Sequence, residues 1–193
     1  MNLSSVTTAV LGSAGYGALC AAATGSVAKK PECDRPLSLW NPADMGETAH
    51  QLPVTYTTDI YEALESADIV VVPWGEQADS CPEEMTGVMA FRRWAYLLPQ
   101  TAIVLAAAGS AEDTMNVSEH LQQILHTEFP TRRERVAVLT ITARHLAGTG
   151  VMEPVKTHPR RPRTATLTTD DEHMHQLITA LFDGPVLRIH RAP

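Results

Sequence analysis

Short apolar runs rich in valine and isoleucine alternate along this chain with longer segments of helical spacing. The runs Val6–Leu11, Leu37–Trp40, Val54–Thr57, Ile69–Val72, Ala102–Ala106 and Val136–Leu139 predict strands. Between them, Gly17–Ala28, Ile60–Ser66, Pro82–Leu98 and Thr114–His126 predict helices. In the last of these, Val117, Leu121, Ile124 and Leu125 recur at spacings of three and four, which marks one buried face. Asp59 before Ile60, with Glu62 in the first turn, supplies an N-cap. Ile69–Val72 is apolar at every position, as a parallel strand covered on both faces must be, so it belongs at the centre of a sheet. The whole pattern predicts an α/β fold: a Rossmann-like, doubly wound, mainly parallel sheet with helices on both faces.

The tail differs. Thr149–Arg163 contains Pro154, Pro159 and Pro162 and the run His158-Pro159-Arg160-Arg161-Pro162-Arg163. Proline lacks an N–H and fixes its φ, so this stretch predicts a long loop. After it, Thr164–Thr169 predicts a strand, Asp170-Asp171-Glu172 opens a helix with charge suited to its dipole, and Pro185–His190 predicts a closing strand. No internal repeat is present.

A length of 193 residues suits one core, so residues 1–193 are expected to form a single domain. With 44% hydrophobic and 19% charged residues the composition is that of a soluble globular protein. A net charge of -7 argues against a general nucleic-acid or anionic-membrane binder. No apolar run approaches the roughly 20 residues that span a bilayer, so no membrane association is expected. Cys20, Cys33 and Cys81 form no C-x-x-C pair and leave one over if two join, which points to a reducing intracellular compartment, whether cytosol or organelle.

The candidate chemistry lies where the first strand feeds into Gly12-Ser13-Ala14-Gly15-Tyr16-Gly17. A glycine turn between a buried strand and a helix N-terminus directs backbone N–H groups at open space, where a pyrophosphate accepts them. The turn departs from G-x-G-x-x-G: Ala14 sets a methyl group where backbone would approach phosphate, and a glycine is displaced to Gly15. Either the turn holds a dinucleotide around Gly15, or its glycines serve strand-to-helix packing. Asn41 stands at the end of the second strand, where an acidic residue would grip the ribose. Its plainer role is a turn residue before Pro42.

Val10-Leu11-Gly12-Ser13-Ala14-Gly15-Tyr16-Gly17 resembles V-L-G-A-G-S-W-G, the opening of the N-terminal domain of NAD-dependent glycerol-3-phosphate dehydrogenase. The resemblance continues in order along nearly the whole chain. Leu37-Ser38-Leu39-Trp40 is similar to that family's second strand, which ends in L-W, and Thr57–Ile69 is similar to T-T-D-L-x-E-A-L-x-x-A-D-L. Leu181–Ile189 resembles L-F-x-x-P-x-F-R-V. The resemblance implies a Rossmann fold and NAD as the cofactor, held around Gly12, Ser13, Ala14, Gly15, Tyr16 and Gly17 with Asn41 and Gln77. Gln77 is what Pro73-Trp74-Gly75-Glu76-Gln77 retains of the family's A-V-P-S-Q.

The family's chemistry is altered. Val104–Gly109 stands where the family has V-W-A-T-K-G, so Ala108 replaces its lysine, and Ile141-Thr142 replaces the G-P pair after the sixth strand. The family's C-terminal helical domain carries its general base and phosphate-gripping groups, and this sequence ends at Pro193 before any counterpart. Hydride transfer to or from a secondary alcohol needs a positioned proton acceptor, worth roughly 10²- to 10⁴-fold. The expectation is therefore a protein with NAD binding retained or lost and with no catalytic residues of its own.

Other candidates have plainer readings beside them. His173 and His175 invite a metal, but residues two apart on a helix point to different sides, so a solvated helix start is expected and no metal site. His145, beside Arg144 after the sixth strand, is the one histidine placed for acid–base work, against a surface role. Arg160, Arg161 and Arg163, with Arg132, Arg133 and Arg135, suit a phosphate or RNA contact; without interleaved aromatics, a solvated loop or an interface for an acidic protein partner is favoured. Three functions follow. The favoured one is a noncatalytic structural or interaction subunit of a larger assembly, with a protein partner. The second is an NAD(H)-binding protein, or part of a glycerol-3-phosphate dehydrogenase completed by another chain. The third is a phosphate or RNA contact module using the arginine loop.

Overall fold

The computed structural model describes residues 6–11, 37–40, 55–74, 87–130, 135–141, 163–185 and 187–192. Their elements are β1 (Thr8–Leu11), β2 (Leu37–Trp40), β3 (Thr55–Thr57), α1 (Ile60–Leu64), β4 (Ile69–Trp74), α2 (Gly87–Trp94), a 3-10 turn (Ala95–Leu97), β5 (Ile103–Ala108), α3 (Ala111–Glu128), β6 (Val136–Ile141), β7 (Arg163–Thr168), α4 (Glu172–Phe182) and β8 (Leu187–Arg191). The strands form one sheet in the order β3-β2-β1-β4-β5-β6-β7-β8. Pairing is parallel from β3 through β6, antiparallel between β6 and β7, and parallel again between β7 and β8. Strands β1 to β6 thus have the 3-2-1-4-5-6 order of the doubly wound nucleotide-binding fold, with its reversal of winding at β1 and β4. The expected Rossmann-like architecture is the one observed, with Ile69–Val72 inside it.

Side-chain alternation divides the core into two layers. On one face, Ala9, Leu11, Val70, Val72, Val104 and Ala106 pack with Ile60, Ala63 and Leu64 of α1, Phe91 of α2, and Val117, Leu121 and Leu125 of α3. On the other, Val10, Ile69, Val71, Ile103, Leu105 and Leu139 pack in one cluster with Met174, Leu177, Ile178, Leu181 and Phe182 of α4. Strands β1, β4 and β5 are buried on both sides, each supplying residues to both layers, which is why Ile69–Val72 of β4 and Ile103–Ala108 of β5 read as continuous apolar runs.

Local chemistry fixes several boundaries. Asp59 caps α1 by accepting from the Tyr61 N–H at 2.9 Å, and Asp171 caps α4 by accepting from the Met174 N–H at 3.1 Å. Thr7 donates its N–H to the Asp68 carboxylate at 2.9 Å, tying the entry to β1 to the entry to β4.

Several boundaries differ from the sequence reading, four of them informatively. Strand β4 runs past Val72 through Pro73 to Trp74, although proline cannot donate to a ladder. Among the described residues the last β1–β4 pair is Val10 with Val71, and Pro73 pairs in register with β5, opposite Ala107. Strand β6 extends past Leu139 to Ile141, because β7 offers it a partner at Ala165. The helix expected over Pro82–Leu98 is described from Gly87 and ends as α2 at Trp94, its remainder tightening into the 3-10 turn. Arg163, assigned to the loop, is the first residue of β7. The helix expected over Gly17–Ala28 and the loop from Thr149 to Pro162 lie outside the described residues, as do all three cysteines.

Candidate functional site

In an open α/β sheet a ligand lies outside the carboxyl ends of the strands, where the winding reverses. Here that edge is formed by Leu11 of β1, Trp40 of β2, Thr57 of β3, Trp74 of β4, Ala108 of β5 and Ile141 of β6. Register makes it contiguous: Leu11 pairs with Trp40 and Trp40 with Thr57, while Trp74 pairs with Ala108 and Ala108 with Thr140.

The chain enters Gly12 directly from Leu11 and Asn41 directly from Trp40, two residues that face each other across the β1–β2 ladder. Gly12, Ser13, Ala14, Gly15, Tyr16, Gly17, Asn41 and Gln77 themselves lie outside the described residues, as do Thr142, His145, Arg132, Arg133, Arg160 and Arg161.

At the β5–β6 end the described residues of the edge are polar without being ionisable. Thr114, fully buried in the first turn of α3, donates its hydroxyl to the Ser110 carbonyl, and the Ser110 carbonyl also accepts the Thr114 N–H at 3.1 Å. The Thr140 hydroxyl approaches that of Thr114 at 3.5 Å. These hydroxyls tie the start of α3 to the ends of β5 and β6. Ala108 stands at that junction, where the resembled family has lysine.

The remaining candidates are occupied elsewhere. Arg135 pairs with Asp171 at 3.2 Å, a helix-capping contact at the start of α4. The bond from the Met174 N–H and the Arg135 guanidinium hold the Asp171 carboxyl below its usual range. The neighbouring Glu172 is held down in the same direction by Gln176 and by Arg191, which reaches it at 2.7 Å. His173 is exposed and His175 partly buried on α4, and no group of three or more potential ligands among the described residues could hold a metal ion. None of the helices described is long and apolar enough to cross a membrane.

Sequence reading missed a surface cluster on the α1–α2 side. Tyr61 meets Trp94 edge-on, with centroids 5.2 Å apart, and Trp94 lies 6.3 Å from Tyr96. The two tyrosine hydroxyls stand 3.1 Å apart, and that bond raises the Tyr96 hydroxyl above its usual range. The only signal in the sequence is three aromatics at the ends of predicted helices.

No protein-family model matches the chain, and no curated protein matches it. Solved structures do. A glycerol-3-phosphate dehydrogenase from Coxiella burnetii is similar over 98% of this chain and 54% of its own, at 13% identity and a TM-score of 0.65. The fold is the one these dehydrogenases carry. DsGPDH of Dunaliella salina is similar over 97% of this chain and 33% of its own, at 13% identity and a TM-score of 0.63. A pyrroline-5-carboxylate reductase from Coxiella burnetii is similar over 98% of this chain and 59% of its own, at 13% identity and a TM-score of 0.58. The chain thus spans between a third and three-fifths of each of these neighbours. A scaffold common to dehydrogenase and reductase carries the architecture; function rests on the site.

Proposed function

We propose that this chain is a Rossmann-type domain that works without hydride-transfer chemistry of its own, as a structural or interaction subunit of a larger assembly. One observation carries the reading: the β4–β5–β6 register sets Ala108 between Trp74 and Thr140 at the carboxyl edge. The resembled enzymes have an amine at that position; an alanine has neither charge nor proton to offer. Leu11, Trp40, Thr57, Trp74 and Ile141, the other strand-end residues of that edge, are likewise non-ionisable near neutral pH. A hydroxyl adjoining nicotinamide would find no proton acceptor among them. The sheet beneath is fully built, so the scaffold is kept without these reactive groups.

The test is direct. Purified protein is mixed with NAD⁺ and glycerol 3-phosphate, and NADH formation is followed by absorbance; the rate should equal the protein-free control. Turnover above that control ends the proposal.

A second reading, retained NAD(H) binding, is favoured by the nucleotide-binding strand order, with Leu11 of β1 paired with Trp40 of β2 at the carboxyl edge. Titrating the same sample with NADH tests it, and fluorescence unchanged at millimolar cofactor removes it.

A further inference from the structure

Among the described residues, β8 ends the sheet: β7 pairs with one side of it, and no strand pairs with the other. An end strand presents backbone N–H and carbonyl groups to which the strand of another chain can add. Successive peptide groups of a strand point to opposite edges, so one bond tells which groups of β8 face outwards. Ala192 donates its N–H to the Leu167 carbonyl of β7 at 3.0 Å. Counting back in twos, Arg188 and His190 also turn their peptide groups to β7, and Leu187, Ile189 and Arg191 turn theirs away from it.

Two of these outward groups are filled by the turn that delivers the strand. The Ile189 N–H donates to the Asp183 carboxylate at 2.8 Å, and the Leu187 carbonyl accepts the Gly184 N–H at 2.7 Å. The other carboxylate oxygen of Asp183 accepts from Arg188 at 3.2 Å. That contact is a solvent-exposed ion pair and holds little by itself, whereas the bond from Ile189 ties an ionised acceptor to backbone. Helix capping does not explain the carboxylate. Asp183 is the C-cap of α4 through its backbone alone, its N–H donating to the Thr179 carbonyl at 2.9 Å, and an anion there meets the negative end of the helix dipole. The edge of β8 does explain it. Exposed Arg188, His190 and Arg191 add basic side chains along the same strand. At the opposite end of the described sheet, β3 needs no such guard, being only three residues long.

We propose that Asp183 locks the outer edge of β8: by holding the Ile189 N–H, it keeps this strand from pairing with β8 of a second copy of the chain. The edge is self-complementary once the lock is removed. Across a two-fold axis at Ile189, the N–H of each copy meets the Ile189 carbonyl of the other, the register in which an antiparallel pair exchanges both bonds. Arg188 of one copy then stands opposite His190 of the other, so salt that screens these basic side chains favours the pairing. The lock goes beyond the reading of the carboxyl edge and holds whichever way the turnover assay falls.

Sedimentation velocity and amide hydrogen exchange of the full chain test it together. Asp183→Ala should self-associate more tightly than wild type by about tenfold or more, and more tightly still as salt is raised. Asp183→Asn, whose amide oxygen still accepts the Ile189 N–H, should sediment as wild type does. In exchange, the Ile189 N–H should be slow in wild type, fast in dilute Asp183→Ala and slow again once that variant is concentrated. Alanine leaves the backbone cap of α4 in place, and the return of protection on association shows that the variant is folded. The proposal is overturned if Asp183→Ala associates no more than wild type, if salt weakens its association, or if Asp183→Asn associates equally. It is overturned as well if the Ile189 N–H stays fast in the associated variant, which places the contact elsewhere, or is as fast in wild type as in the dilute variant.

Discussion

Thr8 is a polar residue in a place that favours none. It lies in β1 at 1% exposure, and its hydroxyl has no hydrogen-bond partner among the described residues. A buried hydroxyl without a partner costs roughly 1–3 kcal/mol by mutational measure. Valine has nearly the same shape, so Thr8→Val should raise stability by about 1 kcal/mol, read as a higher urea midpoint at unchanged slope. At this scale, some residues announced their roles and others did not. Asp59 and Asp171 were legible as caps, because a carboxylate just before a helical run satisfies N–H groups that the helix leaves open. Tyr61 and Tyr96 were not, since their contact joins residues 35 positions apart.

Among elements, α4 shows most clearly how charge fixes an end. Its cap Asp171 accepts from Met174 and pairs with Arg135, and both interactions need the ionised carboxylate. The folded state therefore binds the proton less readily than the unfolded chain, whose value lies near 3.8. The stabilisation is complete above that value and is lost as pH falls through the lower folded one. Asp171→Asn should accordingly be less stable than wild type near neutral pH, and thermal melts should show the gap closing below about pH 3.8. Strand β4 shows the opposite relation between sequence and element. Its proline argued for an end at Val72, yet β4 runs on to Trp74, paired in register with β5 through Ala107 and Ala108.

At the scale of the molecule, the eight strands of the described residues share one sheet, and its two layers are joined through β1, β4 and β5, which supply side chains to both. Losing either layer exposes apolar faces of the same strands. We expect thermal unfolding followed by tryptophan fluorescence and by far-ultraviolet circular dichroism to give coincident transitions; separated midpoints would show that the layers melt independently. The sequence by itself determined the strands, the capped helices and the α/β class, because burial on both faces demands unbroken apolar runs and helix ends demand specific partners. It also determined that Ala108 carries no amine. Tertiary structure alone decided that Ala108 stands at the carboxyl edge between β4 and β6, and that β7 turns back against β6, since the direction of a strand leaves no mark on its composition. It alone gathered Tyr61, Trp94 and Tyr96 into one surface, because a contact between distant segments depends on how helices pack and not on any local preference.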